Sequence, residues 1–400
     1  MKKKFRFTWS AVAGLSSLVT PLAALAGGIA TVPNAGVDVS HQPSGVDVIN
    51  IATPDKNGLS HNKYTDFNVS HSGVVLNNSS TGGASSLLGS DIAGNANLAK
   101  GSASVILNEV VGSAGSSLNG AVELVGQDAH VIIANPNGVS CNGCSFSNVN
   151  QATLVAGESR ISQDTLDGFA VSGILEVGEK GLDASGTSAL TLAANQLFID
   201  GIVTGQNVAA LAGHGFMSAG TAAIDAGSSA VHPDVAIDVA ALGGIRANNI
   251  RILSTDNQVG VGVNVDGDIM ANNGLNIDAY GNVVVDGFVH SGGDQIVHAR
   301  NLNNTGTIKS DAKMQIITTQ DVNNNHGTIA STDDMSMTVH HLNNDHGRIA
   351  TAGDLSLDDN SWFGPTNFWG SIETGGTFEG DRPGWLLGIG GSLKEGTGAI

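Results

Sequence analysis

Residues 327–357 read GTIASTDDMSMTVHHLNNDHGRIATAGDLSL. The triplet Gly327-Thr328-Ile329 returns 20 residues later as Gly347-Arg348-Ile349, and each isoleucine is followed at +6 and +8 by an apolar pair, Met335 and Met337, then Leu355 and Leu357. Upstream, Gly306-Thr307-Ile308 leads to Met314 and Ile316, and Gly267-Asp268-Ile269 to Leu275 and Ile277. Between them Gly287-Phe288-Val289 keeps the period but fits the offsets poorly, with Ile296 at +7. Further back, Gly201-Ile202-Val203 is followed by Ala209 and Leu211 at +6 and +8. An i, i+2 apolar pair is strand alternation, and a period of about 20 residues is one coil of a solenoid. Each coil turns a few aliphatic side chains inward and pairs its backbone with the next.

The asparagines suit the same geometry. Asn303-Asn304, Asn323-Asn324-Asn325 and Asn343-Asn344 precede the triplet glycines, where the chain must turn, and stacked amides can hydrogen-bond from coil to coil. The pattern predicts an all-β chain, a right-handed parallel β-helix built as a single-stranded solenoid. A leucine-rich repeat has a similar period, but its consensus and its alternating helices are missing, as is the calcium-binding Gly-Gly-x-Gly-x-Asp repeat. Before about Thr153 the period is irregular while single strands stand out, such as Gly73 to Asn78, Ser104 to Val110 and Ala129 to Ala134. A first coil needs its edge protected, so this part reads as an N-terminal β cap merged with the first coils.

The start of the chain bears on compartment. Lys2, Lys3, Lys4 and Arg6 precede a mostly apolar run from Ala11 to Leu25 and an Ala24-Leu25-Ala26 cleavage pattern, so residues 1–26 read as a secretory signal peptide. No later apolar stretch is long enough for a stable membrane span. Composition agrees with export of a turn-rich β protein: 55 glycines, 8 prolines and only 13% charged residues, with 41% hydrophobic residues to supply a core. The formal net charge of −19 already includes the four leader cations, so the remainder is more acidic still, and nucleic acid is an improbable partner.

Several ordered segments carry a family resemblance: Val48 to Pro54, Leu59 to Val69, Val74 to Asn78, Ile106 to Val110, Asn135-Pro136-Asn137-Gly138 with Cys141-x-x-Cys144, and Val235 to Val239 followed by Leu242-Gly243-Gly244. Together they resemble the N-terminal secretion domain of filamentous haemagglutinins, over nearly the whole chain to about Leu357. The likeness is greatest to the branch with a Cys-x-Gly-Cys after the Asn-Pro turn, which holds secreted haemolysins and contact-dependent-inhibition toxins. It implies two-partner secretion, in which an outer-membrane β-barrel transporter recognises this region through periplasmic domains and the chain folds outside. The product is expected to be extracellular or at the outer-membrane surface, an adhesin or haemagglutinin-like exoprotein that meets a receptor or glycan on a host or neighbouring cell. The alternatives are a truncated secretion domain of a haemolysin or contact-dependent-inhibition toxin and, from another class, a polysaccharide-binding or polysaccharide-cleaving β-helix.

Asn135-Pro136-Asn137-Gly138 places Pro, Asn and Gly at favoured positions of a β-turn, and the resemblance gives it a role in transporter recognition or early folding. The family's second turn has a proline where this chain has Ala96, within Asn95-Ala96-Asn97-Leu98, so that turn is expected to be less stiff. Cys141 and Cys144, the only cysteines, admit three readings. Zinc needs about four ligands, and no second cysteine pair or His-x₃-His accompanies them. A thioredoxin-like motif needs a βαβ setting. A local disulfide fits an exported chain with an even number of thiols, and so small a ring fixes one turn without holding the fold.

Catalysis requires carboxylates that converge with a base or metal on one face. The candidates are Asp333-Asp334, Asp358-Asp359, His326, His340, His341 and His346. Adjacent aspartates on a strand face opposite ways. His326 and His346 are one period apart and are expected to stack, with a weak metal site beside Asp345 as the sharper alternative. The sequence favours a non-enzymatic protein with no metal or other cofactor. Its organisation reads as a leader (1–26), a capped secretion domain (27–255), β-helix repeats (256–360) and an aromatic, Gly-rich cap or tail (361–400) that holds Trp362, Phe363, Phe368, Trp369, Phe378 and Trp385.

Overall fold

The computed structural model describes residues 28–227, 232–381 and 390–396. The leader and Trp385 lie outside them. Two long sheets run the length of the described solenoid and a third runs along its middle, where successive coils contribute one strand to each. The first extends from Ile29–Thr31 to Phe378–Gly380, the second from Asp38–His41 to Ser392–Lys394, and the third from Ser116–Leu118 to His341–Asn343. Within these three sheets pairing is antiparallel only at the beginning, where Ile29–Thr31 lies against Leu59–Phe67 and Asp38–His41 against Asp47–Asn50. This is the cap. It merges with the first coils, because parallel stacking starts at once, with Val48 opposite Val75 and His61 opposite Leu107. No helix among the described residues is long and apolar enough to cross a membrane.

The core is a set of side-chain columns. On the second sheet Leu182, Val203, Ile245, Ile269, Val289, Ile308, Ile329, Ile349, Ile372 and Leu393 are in register, one per coil. All but Leu393 are buried, and eight of the ten are β-branched, filling a site that admits only aliphatic contact. The glycine of each triplet is required by the neighbouring coil. A Cβ on Gly287 would sit 2.1 Å from the carbonyl oxygen of Gly267, and one on Gly306 would sit 2.2 Å from that of Gly287.

Two offsets read from the sequence are corrected. In the Val289 coil the inward residues are Gln295 and Val297, at +6 and +8, and Ile296 faces out. The register is unbroken, and a buried glutamine hid it: its Oε1 accepts from Ser291 Oγ at 3.2 Å, while its Nε2 finds no partner among the described residues. After Val203 the inward residues are Val208 and Ala210, aligned with Ile250 and Ile252. Ala209 and Leu211 face outward. The strand is apolar on both faces because a second sheet covers it, so alternation carried no register information there. Regular stacking also runs past residue 360: Gly370-Ser371-Ile372, with Phe378 at +6, repeats the triplet and pairs with Arg348–Thr351 and Leu355–Asp359.

Two elements lie outside the solenoid. A four-stranded antiparallel sheet (Gly157–Ser162, Thr165–Val171, Gly215–Ser218, Asp225–Ala226) covers the outer face of the first long sheet, and a hairpin (Gly82–Ser85, Ser90–Ala93) covers part of the second. Each makes its own apolar cluster, Phe169, Met217 and Ile224 over Leu107, Ile132 and Leu211 in one, Leu87, Leu88 and Ile92 over Val48, Val75 and Val125 in the other. Each is also fastened by a buried glutamate. Glu109 accepts from Ser159 Oγ at 2.5 Å and lies 2.7 Å from His61 Nε2. Glu123 accepts from the hydroxyls of Ser85 and Ser86, both at 2.5 Å, and from the amides of Ser86 at 2.7 Å and Leu87 at 3.3 Å.

Burial alone would push the Glu123 carboxyl up, but these donors together outweigh it and hold its pKa below the usual glutamate range. A depressed folded pKa stabilises above the unfolded value and is lost as pH falls through the folded one. The hairpin is therefore expected to become sensitive to protease as pH drops below about 4.5, the ordinary glutamate value. Glu123→Gln should produce the same cleavage at neutral pH, weakening hairpin docking by about 1–3 kcal/mol. Limited proteolysis followed by mass spectrometry checks both; equal resistance of the two proteins at pH 7 would remove the fastening role.

Candidate functional site

The first asparagine turn follows His130–Ala134, a strand with apolar residues buried along most of its length. Asn135 is fully buried. Its Oδ1 accepts the amide of Asn137 at 2.9 Å, its carbonyl accepts the amide of Gly138 at 3.1 Å, and its Nδ2 donates to the Ala114 carbonyl at 2.9 Å and to Ser116 Oγ at 3.0 Å. Asn137 is exposed, and its Nδ2 donates to the Gly112 carbonyl of the preceding coil at 2.8 Å. Pro136 is half-buried, and Gly138 has φ +112°, a conformation that favours glycine.

The second turn has the same construction. Asn95 is buried and caps a short 3₁₀ turn, Ala96–Leu98. Its Oδ1 accepts the Asn97 amide at 3.0 Å, its carbonyl the Leu98 amide at 3.1 Å, and its Nδ2 donates to the carbonyls of Ile51 at 2.9 Å and Asn77 at 3.1 Å. Asn97 Nδ2 reaches the carbonyls of Gly36 and Ile51, both at 3.1 Å, and Leu98 enters the core. Ala96 is exposed. The Asn95 side chain closes the turn through an Asx bond to the backbone two residues on, as Asn135 does in the turn that has a proline. Both turns thus use one buried asparagine to close the loop and a second to tie it to another coil.

Cys141 and Cys144 are bonded, with their α-carbons 5.4 Å apart. Cys141 ends a strand of the third sheet and Cys144 begins one of the second, so the bridge spans a corner of the solenoid. Cys144 heads the aliphatic column that continues with Leu182 and Val203. Cys141 belongs to the facing column, followed by Val177, Ile199, Val239, Val265, Val285 and then Asn304. The cysteines therefore occupy the corner that the glycine triplets turn farther along. From Asn304 the same column becomes a buried ladder: Asn304 donates to Asn324, Asn324 to Asn344 and Asn344 to Asn367, each at 2.7 Å. A fixed corner is made first by a covalent bond and later by amides.

Outside that corner the charge is acidic. Asp200 and Asp266 are both pushed above the usual aspartate range, by burial first and then by neighbouring carboxylates, Asp238 in each case with Glu179 or Asp286. Of the enzymatic candidates, His341 and Asp359 come together, with His341 Nδ1 3.6 Å from Asp359 Oδ2, and the others are engaged separately. Asp334 pairs with Lys313 at 2.9 Å, the Asp359 carboxylate accepts the Leu342 amide at 2.8 Å, His340 lies 3.1 Å from Asp321, and His341 lies 3.2 Å from Ser361 Oγ. His326 and His346 stack face to face, their ring centres 4.9 Å apart, while Asp345 accepts the amide of Phe368. Trp362, Phe363 and Trp369 are exposed.

Known proteins resemble this arrangement at both levels. The crystal structure of the filamentous hemagglutinin secretion domain superposes with a TM-score of 0.55, covering 94% of this chain and 99% of that one at 23% identity, which establishes a shared fold. In sequence, a protein named tRNA nuclease CdiA from Yersinia mollaretii is 39% identical over 285 residues, 68% of this chain and 9% of that protein. A tRNA nuclease CdiA from Escherichia coli strain NC101 is 34% identical over 325 residues, 79% and 10% respectively. A Hemolysin from Proteus mirabilis is 34% identical over 318 residues, 76% and 20%. This chain thus spans a tenth to a fifth of the length of these relatives. The family model of the TPS secretion domain matches residues 27–285, which take in the cap, both asparagine turns, the cysteine corner and the flanking sheets. With its fold, its turns and most of its length accounted for in this way, the chain belongs to the TPS secretion domain family, the secretion domains of two-partner-secretion exoproteins.

Proposed function

We propose that this chain directs its own export through an outer-membrane β-barrel transporter, whose periplasmic domains engage the region around Asn95–Leu98 and Asn135–Gly138, and that it then stands outside the cell as a non-enzymatic, adhesin-like β-helix. The pair of congruent turns carries this reading. Each joins neighbouring coils at the N-terminal end of the solenoid, where export and folding would begin, and each presents one exposed or half-buried asparagine beside a buried one. The acidic, cation-poor surface suits a receptor or glycan on a host or neighbouring cell better than nucleic acid. The candidate carboxylates and histidines are already engaged, and in the one pair they form, His341 with Asp359, the carboxylate is buried and accepts the amides of Leu342 and Ser361, which supports a non-catalytic role.

The relatives favour a second reading, that the chain is the secretion domain of a contact-dependent-inhibition toxin or a haemolysin. The nuclease names belong to proteins that this chain matches over about a tenth of their length. A small immunity gene beside this one would favour the toxin. The decisive experiment is a blot of culture supernatant from cells with and without the partner barrel gene: protein outside only when the barrel is present is expected, and equal release without it would overturn the proposal.

A further inference from the structure

The flanking sheet does not close fully on the solenoid. Between its strands and the first long sheet a cleft of about 550 Å³ remains, within the range of small-molecule sites. Its floor is made by outward side chains of neighbouring coils, Leu59, Val105 and Ile132, and its roof by Leu166, Phe169 and Met217. Val105 and Leu166 are left half-buried on the two walls, so apolar surface faces the gap from both sides.

The chemistry of the walls selects the ligand. His130 lies on the floor with its Nε2 2.9 Å from Thr153 Oγ1, so these two polar groups are paired with each other. Burial pushes the histidine pKa down to about 4, leaving it uncharged at neutral pH. Asp164 at the rim is matched by Lys56 at 3.5 Å. No net charge therefore faces the interior, and an ionic ligand would gain nothing to offset its desolvation. An extended peptide is also a poor fit: Val105–Val110, His130–Ala134 and Gln151–Val155 are paired along both edges, so the floor offers side chains but no backbone partners for a peptide's amides.

We propose that this cleft binds one uncharged apolar chain, of the chemical class of a lipid acyl tail, with any polar end held at the mouth by neutral groups such as Gln151. The test uses the secreted full chain and the neutral fluorescent probe N-phenyl-1-naphthylamine. Saturable binding of one probe per chain is expected, with displacement by dodecanol more readily than by dodecanoate, whose carboxylate meets an acidic protein. Ala189→Phe, which fills the floor, and Val105→Glu, which puts a charge at a half-exposed wall position, should each weaken the probe by about tenfold or more. Thermal melts confirm that the variants fold, and Gln151→Glu at the exposed mouth replaces either variant that does not. Unsaturable fluorescence, binding undiminished by these substitutions, or displacement by an apolar peptide but not by dodecanol would each overturn the proposal.

Discussion

Ile329→Asp is expected to unfold the C-terminal coils at neutral pH, costing about 4 kcal/mol or more, whereas its neighbour Thr328→Asp should change stability by less than about 0.5 kcal/mol. Ile329 is fully buried between Ile308 and Ile349. A carboxylate there loses aliphatic contact with both neighbouring coils and meets no donor. Thr328 lies on the opposite face, in register with Thr307 and Arg348, where an aspartate gains a cationic neighbour. Thermal melts followed by circular dichroism give the difference directly. Because coils contact only their neighbours, the loss should be confined to the end of the molecule, leaving the cap and the flanking sheets folded. Equal effects of the two substitutions would contradict the inside and outside assignment.

Secretion supplies the other large effect. Asn137→Ala, or deletion of Asn135 to Gly138, is expected to leave most of the protein in the periplasm. Deletion of Gly327 to His346 should still permit export. The deletion of the turn removes a buried amide that joins coils, and Asn137→Ala removes the tie to Gly112. The coil deletion removes one full period and keeps Asn324 in line with Asn367, so the ladder and both core columns can close over the gap. No ATP is available in the periplasm, and a chain whose contacts are mostly between successive coils can fold in order as it emerges. Fractionation and blotting of the three variants test this, and normal export of the turn variants with a block for the coil deletion would place recognition elsewhere.

What the sequence made legible depended on what covers each strand. From Leu275 to Leu357 the outer face meets solvent, inward and outward residues mostly alternate, and the period can be read from the glycines and the isoleucine or valine two residues on. Nearer the start, Val74–Asn78 is buried at every position and Asn207–Ala212 at nearly every one, because the hairpin and the flanking sheet lie over them. Alternation vanished there, and with it the register that misassigned Ala209 and Leu211. The Asn-Pro-Asn-Gly turn was visible from its residue types, but the carbonyls it binds, such as Gly112, belong to another coil and leave no local trace. Glu109 and Glu123 were missed as fasteners, although a lone acid inside Val105–Val110 and Ala121–Gly126 was a signal that a buried carboxylate had partners elsewhere. The cysteine corner was obscured for a different reason. Cys144 and its counterpart Leu182 are separated by the excursion that builds half of the flanking sheet, so spacing could not align the bridge with the later glycine corners.

The asparagine ladder has a mechanical consequence. Its three amide bonds run from coil to coil, along the axis, whereas the Cys141–Cys144 bridge lies across a single corner. Tension on the C-terminal end is therefore borne by backbone pairing and amides, never by the covalent bond, and the structure peels one coil at a time. A 20-residue coil gives up about 65–70 Å of chain when it peels, while the column shortens by only about 4.8 Å. Run in reverse, the same ratio makes the folding end a reel with roughly fourteenfold take-up, so that a small advance of the fibre draws a long length of chain toward it.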